Sequence, residues 1–423
     1  MRILFLTNYY PPHEVGGYEQ LCRDVAVRLE ARGHTVAVLT SDRGMARGQA
    51  VDEPGVFRRL RLLPQYGVRM SPAVQFFLTR CSIEARNRHT CRAVVDQFGP
   101  DVIFVWNLEG LPYELALDAE SWPGTAVAYW LAHYSPAQAD SYWRYWAQAP
   151  GQRAYLGRPK ELLGRVALAQ LRREGKPVRP RMQHVAVVSE WMRRKGWAED
   201  TLPTHAEVIY NGVETDLFFR PVPPPDAAPP IRLLLAGRVS PDKGIHIAIE
   251  AVGKLAQARP QRDFRLVIAG SGPAAYLTQL QQCAVSYGVE GLVSFTGWLP
   301  REQMPNLMHT CHIQVLTAIY PEAFARVVLE GMAAGLAVVG TLTGGTGELL
   351  EDGANGLACA AEDSGDLARQ IARLLDDPNL RHRLASRGQE MVLGHYTLDR
   401  MVERVEGLLE RAVSEQRQRA LVN

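Results

Sequence analysis

No C-x-x-C pair occurs anywhere in this sequence, and no apolar run approaches the ~18 residues needed to cross a bilayer. The six cysteines, Cys22, Cys81, Cys91, Cys283, Cys311 and Cys359, are scattered. Their spacing speaks against a zinc ribbon or a dithiol redox centre and suits reduced thiols in the cytoplasm. The N-terminal "MRILFLTNYYPP" is apolar only over a strand's length and lacks a small-residue cleavage site, so it does not read as a secretory signal. No G-x-G-x-x-G follows that first apolar run, which argues against a nicotinamide or flavin enzyme built on the first half. Charge of one sign is also missing. Lysine and arginine number 47 against 45 aspartates and glutamates, a net of +2, which gives no pointer to nucleic acid or to acidic partners.

What is present is a long, regularly alternating chain. With 423 residues, 47% hydrophobic and 22% charged, it is too long for one ordinary core and suits two globular domains. "RILFLT" predicts a buried strand. In "YEQLCRDVAVRLEARGH", Leu21, Val25 and Leu29 share a helical face and Gly33 supplies a stop. "TVAVLT", "DVIFVW", "TAVAYWL" and "HVAVVS" predict further strands. The rhythm restarts near residue 231 with "IRLLLAG", then a helix over "PDKGIHIAIEAVGKLA", then "FRLVIAG", "VSFTG", "IQVLT" and "LAVVGT". Apolar strands alternating with helices predict parallel sheets covered on both faces. Two doubly wound α/β domains in tandem are expected: residues 1–205, residues 206–395, and a C-terminal helix and tail over 396–423 that returns across the junction. The proline-rich "FFRPVPPPDAAPP" reads as the connector.

Ligands of such sheets bind beyond the carboxyl ends of the strands, so the loops there matter most. Gly16 and Gly17 stand between a strand end and a helix start, where glycine permits close backbone approach. On its own, a tight turn explains them as well. In "AGRVSPDKG", Arg238 and Lys243 lie five positions apart across a strand–loop–helix turn. They suit a diphosphate, because a cation near a helix N-terminus is otherwise poorly placed. Two ordinary surface cations explain that segment equally well. Gly270 and Gly272 flank Ser271 after another strand, and Gly344, Gly345 and Gly347 form a third glycine turn, with Glu348 opening the next segment.

The stretch "YPEAFARVVLEGMAAG" spaces Glu322 and Glu330 eight apart. A helix is predicted over Ala325–Ala334, with Gly335 as its stop. The amides of Phe324, Ala325, Arg326 and Val327 would face the preceding loop and could take a phosphate. Glu330, two turns along among apolar neighbours, could accept a pair of hydroxyl hydrogen bonds, as from a ribose. Glu322 could do the same for sugar hydroxyls. His133, just past a strand end, is a candidate substrate contact.

Together these segments resemble the retaining glycosyltransferases of family 4, which have the GT-B fold of two Rossmann-like domains facing an interdomain cleft. The likeness rests on E-x7-E, here Glu322 to Glu330 with Phe324 two residues after the first glutamate. It rests also on "NYYPPHEVGG", "VIYNGVETDLF", "AGRVSPDKG", "VIAGSGP", "VSFTGWLP" and "TGGTGE" in the family's order. The resemblance implies a UDP- or GDP-sugar donor held mainly by the second domain. Arg238 and Lys243 would neutralise the diphosphate and Glu330 would bind ribose. Glu322 would contact the donor sugar with the Phe324 and Ala325 amides, while His133 approaches from the first domain and Gly16–Gly17 closes over the phosphates. Gly270, Gly272, Arg326, Val327, Gly344 and Gly345 complete the donor loops. Ala325 departs from the family, which usually has glycine there, and so bears on donor choice.

The sequence has no D-x-D, the triplet with which many transferases hold Mg²⁺. No metal and no cofactor are therefore expected, with Arg238, Lys243 and helix amides meeting the charge of the leaving group. The expected product is a hexoside on a glycan, a lipid-linked carrier or a small-molecule hydroxyl, of the kind made in polysaccharide biosynthesis. A GT-B nucleotide-sugar epimerase, a phosphorylase and a non-catalytic nucleotide-sugar binding protein are the alternatives. On the acceptor side, "SYWRYW" is aromatic-rich, and residues 153–181 hold nine Lys/Arg against two Glu. That segment suits either a helix packed on its own domain or a peripheral contact with the anionic inner membrane surface.

Overall fold

The computed structural model describes residues 1–13, 16–43, 53–63, 72–132, 146, 157–174, 179–225, 229–261 and 263–422. The chain forms two compact units. Met1–Val187, Arg193–Val208 and Arg404–Asn423 make the first, and Val188–Met192 with Ile209–Glu403 the second.

The first unit is built on seven strands: β1 (Arg2–Thr7), β2 (Thr35–Ser41), β3 (Val56–Leu60), β4 (Val102–Asn107), β5 (Ala126–Leu131), β6 (Val185–Val187) and β7 (Glu207–Val208). They lie in the order β3-β2-β1-β4-β5-β6-β7, every pairing parallel. The unbroken apolar run of β1 fits a strand covered on both faces. Ile3 to Leu6 are fully buried, with Ile3 opposite Val36 and Val102. Burying one such side chain is worth roughly 1.5–3 kcal/mol. The helix Gly17–Ala31 seals one face with Leu21, Val25 and Leu29, as their spacing predicts, and the Glu19 carboxylate reaches back to receive the Gly16 amide at 3.0 Å.

The second unit holds six strands: β8 (Ile231–Ala236), β9 (Phe264–Ala269), β10 (Val293–Gly297), β11 (Ile313–Leu316), β12 (Ala337–Thr341) and β13 (Leu357–Cys359). Their order is β10-β9-β8-β11-β12-β13, again wholly parallel. Helices Ile245–Ala258 and Ser364–Asp376 bury Ile249, Val252, Leu367 and Ile371 in its core. In each sheet the strand order reverses beside the first strand of the unit, at β1/β4 and at β8/β11. That switch point is where open α/β sheets take ligands.

Two local expectations need correction. "PDKGIHIAIEAVGKLA" is not one helix. Gly244 takes a left-handed φ of 62°, which separates a 3₁₀ turn over Pro241–Lys243 from the helix Ile245–Ala258. A Cβ at Gly244 would also stand 2.1 Å from the Thr317 carbonyl oxygen. Lys243 therefore sits on a short turn ahead of the helix. The second helix spans Arg326–Ala333, with Ala325 as its N-cap in extended backbone. Phe324 and Ala325 thus belong to the loop.

The C-terminal helix Leu398–Val422 begins in the second unit, and its residues from Arg404 belong to the first. There Glu406 meets both Arg32 and His34 at 2.7 Å, and Glu415 receives Gln183 at 2.8 Å. Among the described residues no helix is long and apolar enough to cross a membrane.

Candidate functional site

Four loops at the carboxyl ends of β8, β9, β11 and β12 are tied together by backbone contacts within the second unit. The Gly237 amide bonds the Ala269 carbonyl and the Val239 amide bonds the Ser271 carbonyl, both at 2.9 Å. Gly270 and Gly272 lie flat against that loop: a Cβ on either would fall within 2 Å of the Gly237 or Val239 carbonyl oxygen, at 1.8 and 1.9 Å. The Lys243 carbonyl accepts from the Thr317 hydroxyl at 2.8 Å, and the Asp242 carbonyl from the Ile319 amide at 2.9 Å. The Glu322 backbone forms a parallel bridge with Gly344 and accepts the Gly345 amide at 2.7 Å. Here too only glycine fits, since a Cβ at Gly345 would meet the Ala323 carbonyl oxygen at 1.9 Å.

This framework brings Lys243 and Glu322 together. The Lys243 ammonium donates to Glu322 Oε1 at 2.6 Å, with side-chain exposures of 23% and 19%. Both groups are reachable yet shielded enough to strengthen their interaction over that of an open surface pair. Arg238 stays exposed at the end of β8. The helix Arg326–Ala333 starts beside Glu322 with no side chain capping it, which leaves its first-turn amides directed at the loop. Within that helix Arg326 pairs with Glu330 at 3.3 Å, both side chains largely buried. Ala325 is buried with φ −73° and ψ 92°, a conformation alanine adopts without strain. The backbone at this position therefore makes no demand for glycine.

Behind the loop Phe324 packs against a set of residues that the sequence left unassigned: Tyr210, Asn211, Glu348 and Tyr396. Phe324 is buried, with its ring centroid 5.0 Å from Tyr210 and 5.7 Å from Tyr396. Its carbonyl accepts from Asn211 Nδ2 at 3.2 Å. The Tyr210 hydroxyl donates to Glu348 Oε2 at 2.9 Å. Burial, and then the bond to Glu348, raise the Tyr210 pKa, so the phenol keeps the proton it donates. Glu348 also accepts the amides of Glu190 at 3.0 Å and Trp191 at 2.7 Å. The signal was in the sequence: "VIYNGVETDLF" and "TGGTGE" carry Tyr210, Asn211 and Glu348, but nothing in their spacing joins them.

Gly16 and Gly17, both exposed, stand at the start of their helix in the first unit. His133 and most of "SYWRYW" lie outside the described residues.

Two family models match this chain: "Glycosyltransferase Family 4" over residues 15–217 and "Glycosyl transferases group 1" over residues 224–391. An alpha-D-kanosaminyltransferase of Streptomyces kanamyceticus is 31% identical over 176 residues, 42% of this chain and 44% of that protein. The chain thus spans less than half the length of this curated relative. The sucrose-phosphate synthase of Thermosynechococcus elongatus superposes with a TM-score of 0.70 at 18% identity, covering 98% of this chain and 99% of its own. Anabaena HepE, solved with UDP and glucose, gives 0.66 at 22% identity and 97% of this chain, covering its whole length (100%). The likeness to these structures is one of fold: two Rossmann-like parallel-sheet domains, the GT-B architecture.

Proposed function

The chain is a member of glycosyltransferase family 4, and from that premise we propose that it moves a hexosyl-type sugar from a nucleoside-diphosphate sugar to an acceptor hydroxyl, with retention of anomeric configuration and without a metal. The observation that carries this reading is the Lys243–Glu322 pair, set beside the uncapped helix Arg326–Ala333. Lys243, Arg238 and the helix amides offer positive charge to a diphosphate, and Glu322 offers a carboxylate to sugar hydroxyls. Glu330 serves the ribose hydroxyls, and Gly270, Gly272, Gly344 and Gly345 keep side chains out of the phosphate path. The HepE structures hold UDP and UDP-glucose, which supports a donor of this class.

In the proposed reaction the bond from the anomeric carbon to the leaving phosphate oxygen breaks, and its electron pair stays with the diphosphate. The acceptor oxygen bonds the same face of that carbon and passes its proton to the departing phosphate. Charge grows on the diphosphate as the sugar becomes oxocarbenium-like, and fixed cations and amides stabilise it without reorganising.

A thermal-shift panel of nucleoside diphosphates and their sugars tests the donor, because a ligand of the native state raises its apparent stability. The matching UDP- or GDP-sugar raises the melting temperature, and turnover with acceptor survives EDTA. The reading fails if no nucleotide sugar shifts the protein, if donor alone is converted to an epimer, or if chelation abolishes turnover and added divalent metal restores it.

For the acceptor we propose a lipid-linked or glycan hydroxyl reached at the cytoplasmic face of the inner membrane. The helix Gly157–Glu174 buries Ala167 and Leu171 beside Leu63, Phe76 and Trp146, while Leu162 is 67% exposed with Val166 and Arg165 on the same stretch. An apolar and basic surface of this kind suits an anionic bilayer. Co-sedimentation with anionic but not neutral vesicles is expected, and equal partitioning onto both would refute the electrostatic contribution.

A further inference from the structure

We infer that Glu348 is a positioning residue for the loop Glu322–Ala325, acting through Gly345 on one side and Tyr210 on the other. The inference rests on the transferase reading of that loop.

Three donors from two distant segments converge on this carboxylate. Oε1 takes the Trp191 amide at 2.7 Å, and Oε2 takes the Glu190 amide at 3.0 Å and the Tyr210 hydroxyl at 2.9 Å. The two amides belong to the first turn of the helix Glu190–Ala198, where an anion is favoured by both dipole and hydrogen bonding. That helix already has a local cap, because Ser189 Oγ accepts the Met192 amide at 3.1 Å. A glutamate 158 positions away is therefore not needed merely to start the helix. What it adds is a fixed anchor for the 3₁₀ turn Gly345–Glu348.

The other end of that turn presses on the proposed sugar contact. The Gly345 amide bonds the Glu322 carbonyl at 2.7 Å, and its α-carbon lies so close to Ala323 that no side chain fits between them. Tyr210, its hydroxyl held by Glu348, lays its ring against Phe324 at 5.0 Å. One carboxylate thus fixes a backbone contact on Glu322 and a ring contact on Phe324, on either side of Ala323. With both oxygens engaged, Glu348 has no direct part in the chemistry; its effect passes through neighbours.

The test compares Glu348→Gln and Tyr210→Phe with the wild type in the full chain. Glutamine keeps the shape but offers one oxygen to three donors and turns an amide group towards another N–H. Two quantities are read: the affinity gained when a nucleoside diphosphate carries its sugar, and backbone hydrogen exchange at residues 322–327. For Glu348→Gln the gain from the sugar falls about ten-fold while affinity for the bare nucleoside diphosphate stays within about two-fold, and exchange at 322–327 quickens. Tyr210→Phe moves both readouts the same way by less, and it serves if the glutamine variant does not fold. An unchanged sugar gain with unchanged exchange at 322–327 overturns the inference. So does an equal loss of affinity for both ligands, the mark of a merely structural residue. If the wild type itself gains nothing from any sugar, the transferase reading fails instead, and the exchange measurement alone decides the positioning role.

Discussion

Lys243 Nζ donates to Glu322 Oε1 across 2.6 Å, although 79 positions separate the two residues. The two loops are held to each other and to a third: the Thr317 hydroxyl, on the loop that carries Glu322, donates to the Lys243 carbonyl, and the Gly345 amide donates to the Glu322 carbonyl. The ion pair is therefore assembled by the framework, with cation and carboxylate placed before any ligand arrives.

Replacing either member is expected to cost transition-state stabilisation. Lys243→Met and Glu322→Gln should each lower kcat/KM by about 10²–10³-fold, the scale of losing one preorganised donor. The double variant should fall short of the product of the two losses, because the residues are in contact. Steady-state kinetics of the four proteins measures this, and wild-type turnover in Lys243→Met would remove the lysine from the site.

Arg326 occupies the first position of its helix, where the dipole disfavours a cation by about 0.3–1 kcal/mol. It also precedes its partner Glu330 by four residues, the weaker order for such a pair. Helix stability does not account for this arrangement, whereas orienting Glu330 does. Arg326→Met breaks an ion pair between two largely buried side chains, so it should lower the melting temperature, and it should also narrow the preference for a ribonucleoside over a 2′-deoxyribonucleoside diphosphate, as read by calorimetric titration. Glu330→Gln should narrow it further. An intact preference in both variants would detach the pair from ribose recognition.

Gly345→Ala forces a methyl group into the Ala323 carbonyl. The strain should destabilise the protein by about 1–3 kcal/mol in denaturant unfolding. It should also weaken the sugar-dependent part of donor binding, since the turn must shift away from Glu322. An alanine variant as stable as the wild type would show that the loop tolerates separation.

His312 supplies a pH signature of the fold. Its Nδ1 accepts the Arg232 amide at 3.1 Å, which requires a neutral ring on that side. Burial, then the charges of Arg381, Arg220 and Arg232, push its pKa down from 6.5 to about 4. Between those values the unfolded chain binds a proton that the folded one does not. The stability His312 contributes is therefore complete above pH 6.5 and drains away as pH falls to about 4. His312→Asn retains an acceptor but cannot titrate. Denaturant midpoints across this window should fall less steeply for the variant, and parallel slopes would discount the histidine.

Ten of the thirteen described strands were legible because they lie in mainly apolar runs, and both sheet cores use the residues those runs supply; β3, interrupted by Arg58 and Arg59, and the very short β7 and β13 were missed. The glycines after β9 and β12 were legible as turns, and the structure adds the close backbone approaches that leave no room for a Cβ there. Contacts set by three-dimensional proximity were not. Glu348 meets Tyr210 and Glu190 across 138 and 158 positions, and no periodicity encodes such a meeting. The break at Gly244 was hidden because the residues after it have strong helical periodicity and mask a single left-handed φ. Ala325, read from the sequence as a departure bearing on donor choice, occupies ordinary extended backbone, so its methyl group changes the local shape without bending the chain.

The backbone contact at Gly270 and Gly272 also restricts how this protein can diversify. A methyl group at either would separate two loops that carry the proposed phosphate path, so this floor is closed to side-chain variation. Novelty must enter from the rim, through residues such as Tyr320 and Leu342, which stand 61% and 45% exposed just past β11 and β12. Side chains there can change without parting the loops, while the floor beneath stays as bare backbone.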